Sequence, residues 1–288
     1  MSAFFIAEIS SNHGRDLSRS KALIDAAAQA GCDAVKFQLF RIERMFAPEI
    51  LAQSAKHRAR TAWELPLSFL PDLAAHCQER GIQFSCTPFY VEAVGELQPF
   101  VSFYKIASYE LLYDPLLVAA ARTGKPVIVS TGMASIDEIR HANLVLERAG
   151  ARDVTFLHCV SAYPAPPEQA NLAAIETLRQ LTGRLAGWSD HTVSPAVILR
   201  AVERWQAAAI EFHLDLDGAG AEFAPGHCWL PHQIGEVIQL VREGERADGT
   251  GIKEPVAAEL PDREWRADPE DGMRPMRAIR ASYKPDAA

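Results

Sequence analysis

The sequence has few cysteines, and none of them belongs to a paired motif. The five cysteines stand far apart, at positions 32, 77, 86, 159 and 228, and no CxxC spacing occurs. An odd and scattered set argues against a zinc knuckle or a disulfide framework. It favours a reducing compartment, so we expect a cytoplasmic protein.

Long apolar runs and an excess of basic residues are also missing. No apolar run approaches the length of a membrane span, and the N-terminal stretch MSAFFIAEIS lacks the basic start of a signal peptide. The formal net charge is −8, which argues against the binding of nucleic acid or other polyanions. A small anionic ligand is still compatible with this charge, because a few lysines in a cleft can hold a phosphate.

Short apolar runs, each followed by polar loop residues and a helical pattern, recur over roughly the first 245 of the 288 residues. They predict strands at 4–9, 34–39, 82–86, 103–107, 126–130, 154–158, 185–189 and 209–213. Buried strands that alternate with helices in this number favour an α/β fold, a closed parallel (β/α)8 TIM barrel. An open doubly wound sheet is the alternative, but no GxGxxG follows the first strand, where a dinucleotide site needs one.

Two segments depart from this rhythm. Residues 40–67 are too long for a plain connection, and we predict an extended loop with local helix there. Residues 247–288 are rich in proline and charge and lack periodicity. We therefore expect a catalytic barrel over 1–246 and an irregular, extended C-terminal tail over 247–288.

In a TIM barrel the active site lies at the carboxyl ends of the strands. Polar residues gather at these ends in the present sequence, and residues two apart on one strand share a face. The candidate site residues are Glu8, Lys36, Gln38, Thr87, Lys105, Ser108, Glu110, Ser130, Tyr163, Ser189, His191, Glu211 and His213.

Lys36 and Lys105 each lie within a strand whose neighbouring residues should be buried. Burying an ammonium group without a partner is unfavourable, so each lysine needs a counter-charge. One interpretation is an internal salt bridge to Glu8 or Glu110. The other is a cradle for a phosphate or carboxylate, with Ser108, Ser130 and Ser189 as neutral donors.

His191 and His213 follow two strands that a short helical crossover makes parallel neighbours. Two imidazoles on one rim can bind a divalent metal ion and leave positions open for a substrate. A pair of ordinary hydrogen-bonded histidines is the simpler interpretation. The sequence pattern alone leaves both open.

Eight motifs in chain order resemble those of the N-acetylneuraminate (sialic acid) synthase family. They read IAEISSNHGRD, AVKFQ, SCTPF, KIASYE, VSTGMASIDEI, LHCVSAYPAP, GWSDHT and IEFHLD, and they cover about residues 3–245. Because each falls at the end of a predicted strand, the ordered set is far more specific than any single match. The resemblance covers the catalytic barrel, and we expect the chain to lack the family's antifreeze-like C-terminal domain.

The resemblance implies a metal-dependent condensation of phosphoenolpyruvate with an N-acetylated hexosamine, giving a 2-keto-3-deoxy sugar acid. It implies a divalent ion, Mn²⁺ or Mg²⁺, held by His191 and His213, and a homodimer. It assigns phosphoenolpyruvate to Lys36, Lys105 and the three serines, and the sugar side to Glu8, Glu110 and Glu211. We expect Glu8 or Glu211 to handle the proton.

The sequence departs from the family pattern at three positions beside these motifs. Val160 stands in place of an asparagine, Phe212 in place of a lysine and Gly226 in place of a sugar-binding aspartate. Because these family residues concern mainly the acceptor, the identity of the acceptor sugar stays open. We expect Arg274, Arg277 or Arg280 of the tail to replace part of the missing domain.

Two other functions fit the same residues. The first is a Schiff-base aldolase or lyase that uses Lys36 or Lys105 as its nucleophile. The second is a barrel that has lost catalysis and only binds a sugar or a partner. Chelators would leave the activity of a lyase intact, and phosphate release would identify a synthase.

Overall fold

The computed structural model describes residues 2–284 and contains a ring of eight parallel strands. The strands of the ring are β1 Phe4–Glu8, β2 Ala34–Leu39, β3 Gln83–Pro88, β4 Phe103–Ile106, β5 Val127–Ser130, β6 Val154–Cys159, β7 Leu185–Asp190 and β8 Ala209–Leu214. Each strand pairs with the next, and β1 also pairs with β8, with Phe4 opposite Ala209 and Glu8 opposite His213. This closure confirms the predicted TIM barrel.

The helices of the barrel region follow the strands in alternation. They are α1 Leu17–Gln29, α2 Ile42–Met45, α3 Pro48–Gln53, α4 Ala55–Ala59, α5 Leu70–Arg80, α6 Val91–Leu97, α7 Asp114–Arg122, α8 Ile136–Arg148, α9 Ala174–Thr182, α10 Pro195–Glu203 and α11 Pro231–Ala247. The helix α6 was not predicted from the sequence, because its seven residues are too few for a clear helical period. The two-residue strand β9, Cys228–Trp229, was not predicted either, and it extends the sheet beside β8.

The barrel interior changes from apolar to polar along the strands. Its lower part is filled by a cluster of Ile6, Ala34, Phe103, Ile128, Leu157 and Ala209. The residue two positions further along each strand shares the inward face, and these six are Glu8, Lys36, Lys105, Ser130, Cys159 and Glu211. The two-residue period of the strands therefore places these six side chains directly above the apolar cluster.

The outward-facing side chains of the strands pack against the helices in one large core. Phe5, Phe37, Phe156, Trp188 and Phe212 are fully buried in this layer. Strands buried on both faces explain why the apolar runs in the sequence are nearly continuous.

The segment between β2 and α5 folds as the three short helices α2, α3 and α4, followed by a 3₁₀ turn at Arg60–Trp63. Local helix was expected here, and the extended character is limited to short connections.

By compactness the chain divides into two units, residues 1–245 and 246–288. The second unit contains two short helices, α12 Leu260–Arg263 and α13 Arg277–Arg280. Within this unit Arg280 donates to the Asp271 carboxylate at 2.7 Å, and Arg277 contacts the same carboxylate at 3.3 Å. Two of the three arginines expected to serve the active site are thus paired locally. No helix among the described residues is both long and apolar enough to cross a membrane.

Candidate active site

A cavity of about 780 Å³ opens at the carboxyl ends of the strands. Twelve of the thirteen predicted site residues line it, namely Glu8, Lys36, Gln38, Lys105, Ser108, Glu110, Ser130, Tyr163, Ser189, His191, Glu211 and His213. The remaining one, Thr87, is buried behind the wall and accepts a hydrogen bond from Lys36 Nζ at 2.9 Å. The structure therefore brings together residues from seven different strands or strand ends.

Lys36 is buried and forms an ion pair with Glu8. The Glu8 carboxylate also accepts hydrogen bonds from the backbone N–H of Ser10 at 2.7 Å and from the Gln38 amide at 3.1 Å. Burial lowers the pKa of the Lys36 ammonium to about 8, although Glu211 opposes the shift. Lys36 is thus held by its partners at a position that faces the cavity.

Lys105 is equally buried and connects β4 to two other strands. Its Nζ donates to Ser130 Oγ at 2.7 Å and lies 3.3 Å from Glu211 Oε1. Ser189 donates to the same Glu211 oxygen at 3.2 Å. Burial alone would raise the pKa of the Glu211 carboxyl, but Lys105 and Lys36 hold it well below its ordinary value.

The two interpretations of the lysines both describe part of this arrangement. The lysines are paired internally, Lys36 with Glu8 and Lys105 with Glu211 rather than with Glu110. They also line the cavity together with hydroxyl donors. Internal pairing holds both lysine side chains in place beside an open space, which is what an anion site requires.

Glu110 lies apart from these ion pairs. Its Oε2 is buried and has no hydrogen-bond partner. Burial raises the pKa of the Glu110 carboxyl to about 7, in spite of Lys105. The neighbouring Ser108 accepts a hydrogen bond from the Gly132 N–H at 2.9 Å, which joins the ends of β4 and β5.

His191 and His213 lie together at the opposite side of the mouth, with ring centroids 5.3 Å apart. The Nδ1–H of His191 donates to the Val160 carbonyl at 2.8 Å, because a carbonyl oxygen can only accept. The Tyr163 ring packs against the His191 ring in a tilted arrangement, with centroids 4.2 Å apart. Burial lowers the pKa of His213 to about 4.

Two further residues of the site, Glu222 and His227, were missed. Glu222 Oε2 lies 3.2 Å from His213 Nδ1 and 3.9 Å from His227 Nε2. Burial would raise the pKa of the Glu222 carboxyl, but the imidazoles of His213 and His227 hold it well below its ordinary value. Both residues belong to the long loop between β8 and α11, where no period marks a functional position. Only the sequence GHC at 226–228, which begins with the noted departure Gly226, could have suggested them.

The loop between β8 and α11 is fixed by buried polar contacts at its base. Asp215 accepts hydrogen bonds from the backbone N–H groups of Gly218 and Gly220 at 2.7 and 3.1 Å. Asn12 Oδ1 accepts from the Glu222 N–H at 2.9 Å, and Ser10 Oγ donates to Glu222 Oε1 at 2.6 Å. The end of β1 therefore positions Glu222.

The donors at this side of the cavity fit a divalent metal ion. His213, Glu222, His227 and Cys228 each offer a ligand atom, and these atoms all lie within 4.8 Å of one another. His227 is buried, and its Nδ1 has no hydrogen-bond partner. Imidazole and carboxylate groups in this number are typical ligands of first-row divalent ions.

Aromatic and basic residues of the 40–67 segment cover another part of the cavity. Phe46, Arg60 and Trp63 line it, and the Arg60 guanidinium stacks on the Phe46 and Trp63 rings at 5.5 and 5.4 Å. The three departures from the family pattern are not among the lining residues of the described chain. Phe212 is fully buried in the outer core, and Val160 acts through its carbonyl.

The sequence model of one family, described as the NeuB family, matches residues 23–253. The chain belongs to the NeuB family. This confirms the resemblance on which the predicted site rested. The region matched includes most of the barrel and all the strands from β2 to β9.

Two relatives of this NeuB-family chain are named as a polysaccharide biosynthesis protein and a sugar-acid synthase. The chain is 35% identical over 272 residues to the spore coat polysaccharide biosynthesis protein SpsE of Bacillus subtilis. The alignment covers 89% of this chain and 71% of SpsE. The chain is 34% identical over 265 residues to the N,N'-diacetyllegionaminic acid synthase of Campylobacter jejuni, covering 86% and 78%.

A solved structure supports the same grouping. The N-acetylneuraminic acid (sialic acid) synthetase of Leptospira borgpetersenii, crystallised with citrate, superposes with a TM-score of 0.80 at 32% identity and covers 92% of each chain. The protein thus groups with synthases of carbohydrate biosynthesis, and the fold is shared with a sialic acid synthetase.

Proposed function

We propose that this NeuB protein condenses phosphoenolpyruvate with an N-acetylated hexosamine or a related aldose. The product is a 2-keto-3-deoxy sugar acid of the nonulosonate type, and inorganic phosphate is released. The observation that carries the proposal is that two buried lysines and a group of three imidazoles open into one cavity. Relatives named as diacetyllegionaminic, pseudaminic and N-acetylneuraminate-9-phosphate synthases support the reaction class.

The lysine side of the cavity suits the phosphate and carboxylate of phosphoenolpyruvate. Lys36 and Lys105 supply positive charge, and Ser108, Ser130 and Ser189 supply hydroxyl donors. In a buried cavity these donors stabilise the anion more strongly than water would, and they need no reorganisation during the reaction.

The glutamates suit the proton transfers of the condensation. The enol carbon of phosphoenolpyruvate attacks the acceptor's carbonyl carbon, and the carbonyl oxygen takes up a proton to become a hydroxyl. Water adds to the C2 cation and loses a proton, and the C2–O bond to the phosphate then breaks, so that phosphate leaves with the bridging oxygen. Glu211 is held ionised beside Ser189 and Lys105, so it can accept the proton that the water loses. Glu8 is the other candidate, and Glu110 lies on the acceptor side.

The histidine side suits the acceptor and a divalent cation, Mn²⁺ or another first-row ion. When bound, such an ion would polarise the acceptor's aldehyde as a Lewis acid. His191 and His213, whose ring centroids are 5.3 Å apart, would hold it, and Glu222 and His227 lie beside His213. Tyr163, Arg60 and Trp63 would contact the sugar itself, since they line the outer part of the cavity.

The first experiment is an assay of phosphate release. The full chain is incubated with phosphoenolpyruvate and a panel of N-acetylated hexosamines, with Mn²⁺ and with EDTA. We expect phosphate release that needs both an acceptor and the cation, with a keto-deoxy acid formed in equal amount. Release that is independent of any acceptor, or absent with every aldose tested, would contradict the proposal.

A Schiff-base aldolase is the second candidate, and one observation favours it. Burial lowers the pKa of Lys36 to about 8, which increases the fraction of free amine near neutral pH. Borohydride together with a keto-deoxy sugar acid would then attach the substrate covalently to Lys36. An enzyme that EDTA inactivates and borohydride does not label would rule this candidate out.

The same proposal includes a homodimer and a cytoplasmic location, as implied by the resemblance. Size-exclusion chromatography with light scattering would test the dimer. A mass of one chain at micromolar concentration would exclude it.

A further inference from the structure

We infer that Arg60 binds an anionic group at the far end of the acceptor, and that the acceptor is therefore a phosphorylated aldose. The group is a phosphate monoester on the carbon furthest from the reacting carbonyl. This inference rests on the proposed function for the reaction, and it deepens that function by naming the class of acceptor. Relatives are named for a 9-phosphate product and for products without a phosphate, so membership of the family does not decide the point.

Arg60 carries a positive charge at the cavity that has no counter-charge. Among the described residues, the lysine and arginine side chains that line the cavity are Lys36, Lys105 and Arg60. Both lysines are paired with glutamates. Arg60 has no carboxylate of residues 2–245 within ion-pairing distance, and its guanidinium donates no hydrogen bond to them. An anionic ligand would supply the missing charge.

The other three arginines of the 40–67 segment are paired with the protein. Arg41 and Arg58 each donate to a backbone carbonyl, at 3.1 and 3.2 Å, and Arg44 forms an ion pair with a glutamate at 2.6 Å. Arg60 differs from them, since its guanidinium lies over two aromatic rings instead. A structural ion pair therefore does not account for its position.

The aromatic contacts of Arg60 leave its hydrogen-bond donors free. The guanidinium carbon is 5.5 Å from the centre of the Phe46 ring and 5.4 Å from the centre of the Trp63 ring. Such contacts stabilise the cation electrostatically, and they use no N–H group in a bond to oxygen. The five N–H donors of a guanidinium form a planar fork that matches the oxygens of a phosphate.

The chain around Arg60 is anchored on both sides of the cavity mouth. Arg15, in the loop after β1, donates to the Thr61 carbonyl at 2.9 Å. The Glu64 carboxylate accepts a hydrogen bond from the Ile42 N–H at 2.9 Å. A cation that is held in this way is preorganised, so that little conformational entropy is lost when an anion binds.

Arg60 lies further out than the lysines of the anion side. Lys36 and Lys105 belong to strands of the ring and are 3% and 2% exposed, whereas Arg60 belongs to the segment after β2 and is half-buried. Two cationic positions at different depths suit two anionic substrates, with phosphoenolpyruvate in the interior. In an open-chain aldose the last carbon is the one furthest from the carbonyl, so a phosphate there would lie near the mouth.

A phosphate monoester suits this position better than a carboxylate does. It carries nearly two negative charges at neutral pH and has three acceptor oxygens. His57 also lines the cavity, and its ring is 4.8 Å from that of Phe46, the ring that Arg60 contacts. The Nδ1 of His57 is bonded to Ser54 Oγ at 2.7 Å, which leaves Nε2 for a ligand. Arg60 and His57 can thus contact different oxygens of one phosphate.

The test measures the binding of acceptor analogues that cannot react. Acetamido-hexitols of manno, gluco and galacto configuration, each with and without a terminal phosphate, are titrated by calorimetry into the full chain. These open-chain alcohols lack the aldehyde, so that binding is measured without turnover. The native protein is compared with Arg60→Met and Arg60→Lys. Lys56→Met is the matched control, since it removes an exposed cation of the same segment that does not line the cavity.

We expect the terminal phosphate to raise the affinity of the native protein for at least one hexitol by about 30-fold, as for hydrogen bonds between charged groups. Arg60→Met should remove this gain and leave the affinity for the unphosphorylated hexitol within about threefold of native. Arg60→Lys should keep part of the gain, because it retains the charge but not the planar fork. Lys56→Met should bind as the native protein does.

A titration of phosphoenolpyruvate tests the other possible source of the anion. Its affinity should stay within about threefold of native in Arg60→Met. A loss of phosphoenolpyruvate affinity, with the gain from the terminal phosphate unchanged, would assign Arg60 to phosphoenolpyruvate and overturn the inference. Circular dichroism shows that each variant is folded, and Arg60→Lys carries the comparison if Arg60→Met is not.

Two further results would overturn the inference. One is a terminal phosphate that raises the affinity of the native protein for none of the hexitols, which includes the case that none of them binds. The other is a gain that persists in both Arg60 variants. Since no readout uses turnover, failure of the phosphate-release assay would leave the assignment of Arg60 standing. Condensation with unphosphorylated aldoses only would refute the class of acceptor and leave the proposed reaction intact.

Discussion

At the scale of single residues, Lys105 connects the anion side of the cavity to Glu211. Its ammonium contacts Ser130 Oγ at 2.7 Å and Glu211 at 3.3 Å, and the side chain is only 2% exposed. Replacing Lys105 by Met removes the charge and leaves Glu211 with Lys36 alone, at 4.0 Å. We expect kcat/KM for phosphoenolpyruvate to fall by about 1000-fold, or about 4 kcal/mol of transition-state stabilisation.

Steady-state phosphate release with varied phosphoenolpyruvate measures this effect. Lys21→Met is the control, because Lys21 forms an exposed pair with Asp72 and should change kcat/KM by less than about twofold. A Lys105→Met protein that folds normally and keeps kcat/KM within tenfold of native would contradict the role of Lys105.

Glu110 should make the stability of the protein depend on pH. Its folded-state pKa of about 7 lies above the ordinary value of 4.5, so the folded protein binds this proton more tightly than the unfolded chain does. The stabilisation by the neutral carboxyl is complete below pH 4.5 and is lost as the pH rises through 7. In Glu110→Gln the side chain is an uncharged amide at every pH, so it mimics the neutral carboxyl.

We therefore expect Glu110→Gln to match the native protein near pH 4.5 and to exceed its free energy of unfolding by about 3 kcal/mol above pH 7. Urea unfolding at a series of pH values from 4.5 to 8 measures the difference. A difference that is constant with pH would show that burial does not shift this carboxyl.

At the scale of elements, the loop between β8 and α11 depends on a close approach at Gly220. A Cβ at this position would overlap the Asp215 carboxylate and the Asn12 side chain, which is the group that positions the Glu222 N–H. Gly220→Ala should therefore displace Glu222 and lower the Mn²⁺ affinity by about tenfold, as expected for a residue that supports ligands.

Calorimetric Mn²⁺ titration checks this prediction. Gly95→Ala is the matched control, since Gly95 lies in α6 with open space where the alanine methyl group would stand, and the change should be neutral or slightly stabilising. Equal Mn²⁺ affinity for the native protein and Gly220→Ala would show that the close approach does not position the loop.

At the scale of the whole molecule, the barrel contains its own core. The buried core extends from Ala3 to Val241, and the described residues beyond α11 contribute no side chain to it. A chain ending at residue 247 should therefore unfold cooperatively with a Tm within about 3 °C of native, since a few °C correspond to about 1 kcal/mol in a domain of this size.

Differential scanning calorimetry measures the Tm of this truncation. A chain ending at residue 230 is the control, because it lacks Ile234, Val237, Ile238 and Val241 of the core and should not fold. A large loss of Tm in the first truncation would disprove the independence of the barrel. If the tail serves the acceptor, as its arginines suggested, the same truncation should raise the acceptor KM instead.

Much of the site could be predicted because, in a parallel barrel, the position of a residue along its strand determines where its side chain lies. A strand's period of two and the parallel ring together bring Glu8, Lys36, Lys105 and Glu211 to one inward face above an apolar floor. Loops have no such period, so the positions of their side chains cannot be predicted in this way. Glu222 and His227 lie nine and fourteen residues beyond His213 in a segment without a period, so their approach to His213 could not be inferred.

The sequence by itself determined the family, the eight-stranded barrel and the strand-end residues, because local periodicity and ordered motifs encode them. Only the tertiary structure decided which charges are paired. Lys36 faces Glu8 and Lys105 faces Glu211, while Glu222 faces two imidazoles and no ammonium group of the described residues. The physical reason is that pairing depends on distances of a few ångströms between segments far apart in the chain, and no local pattern records such distances. Ser10 and Glu222, for example, are hydrogen-bonded although they are 212 residues apart.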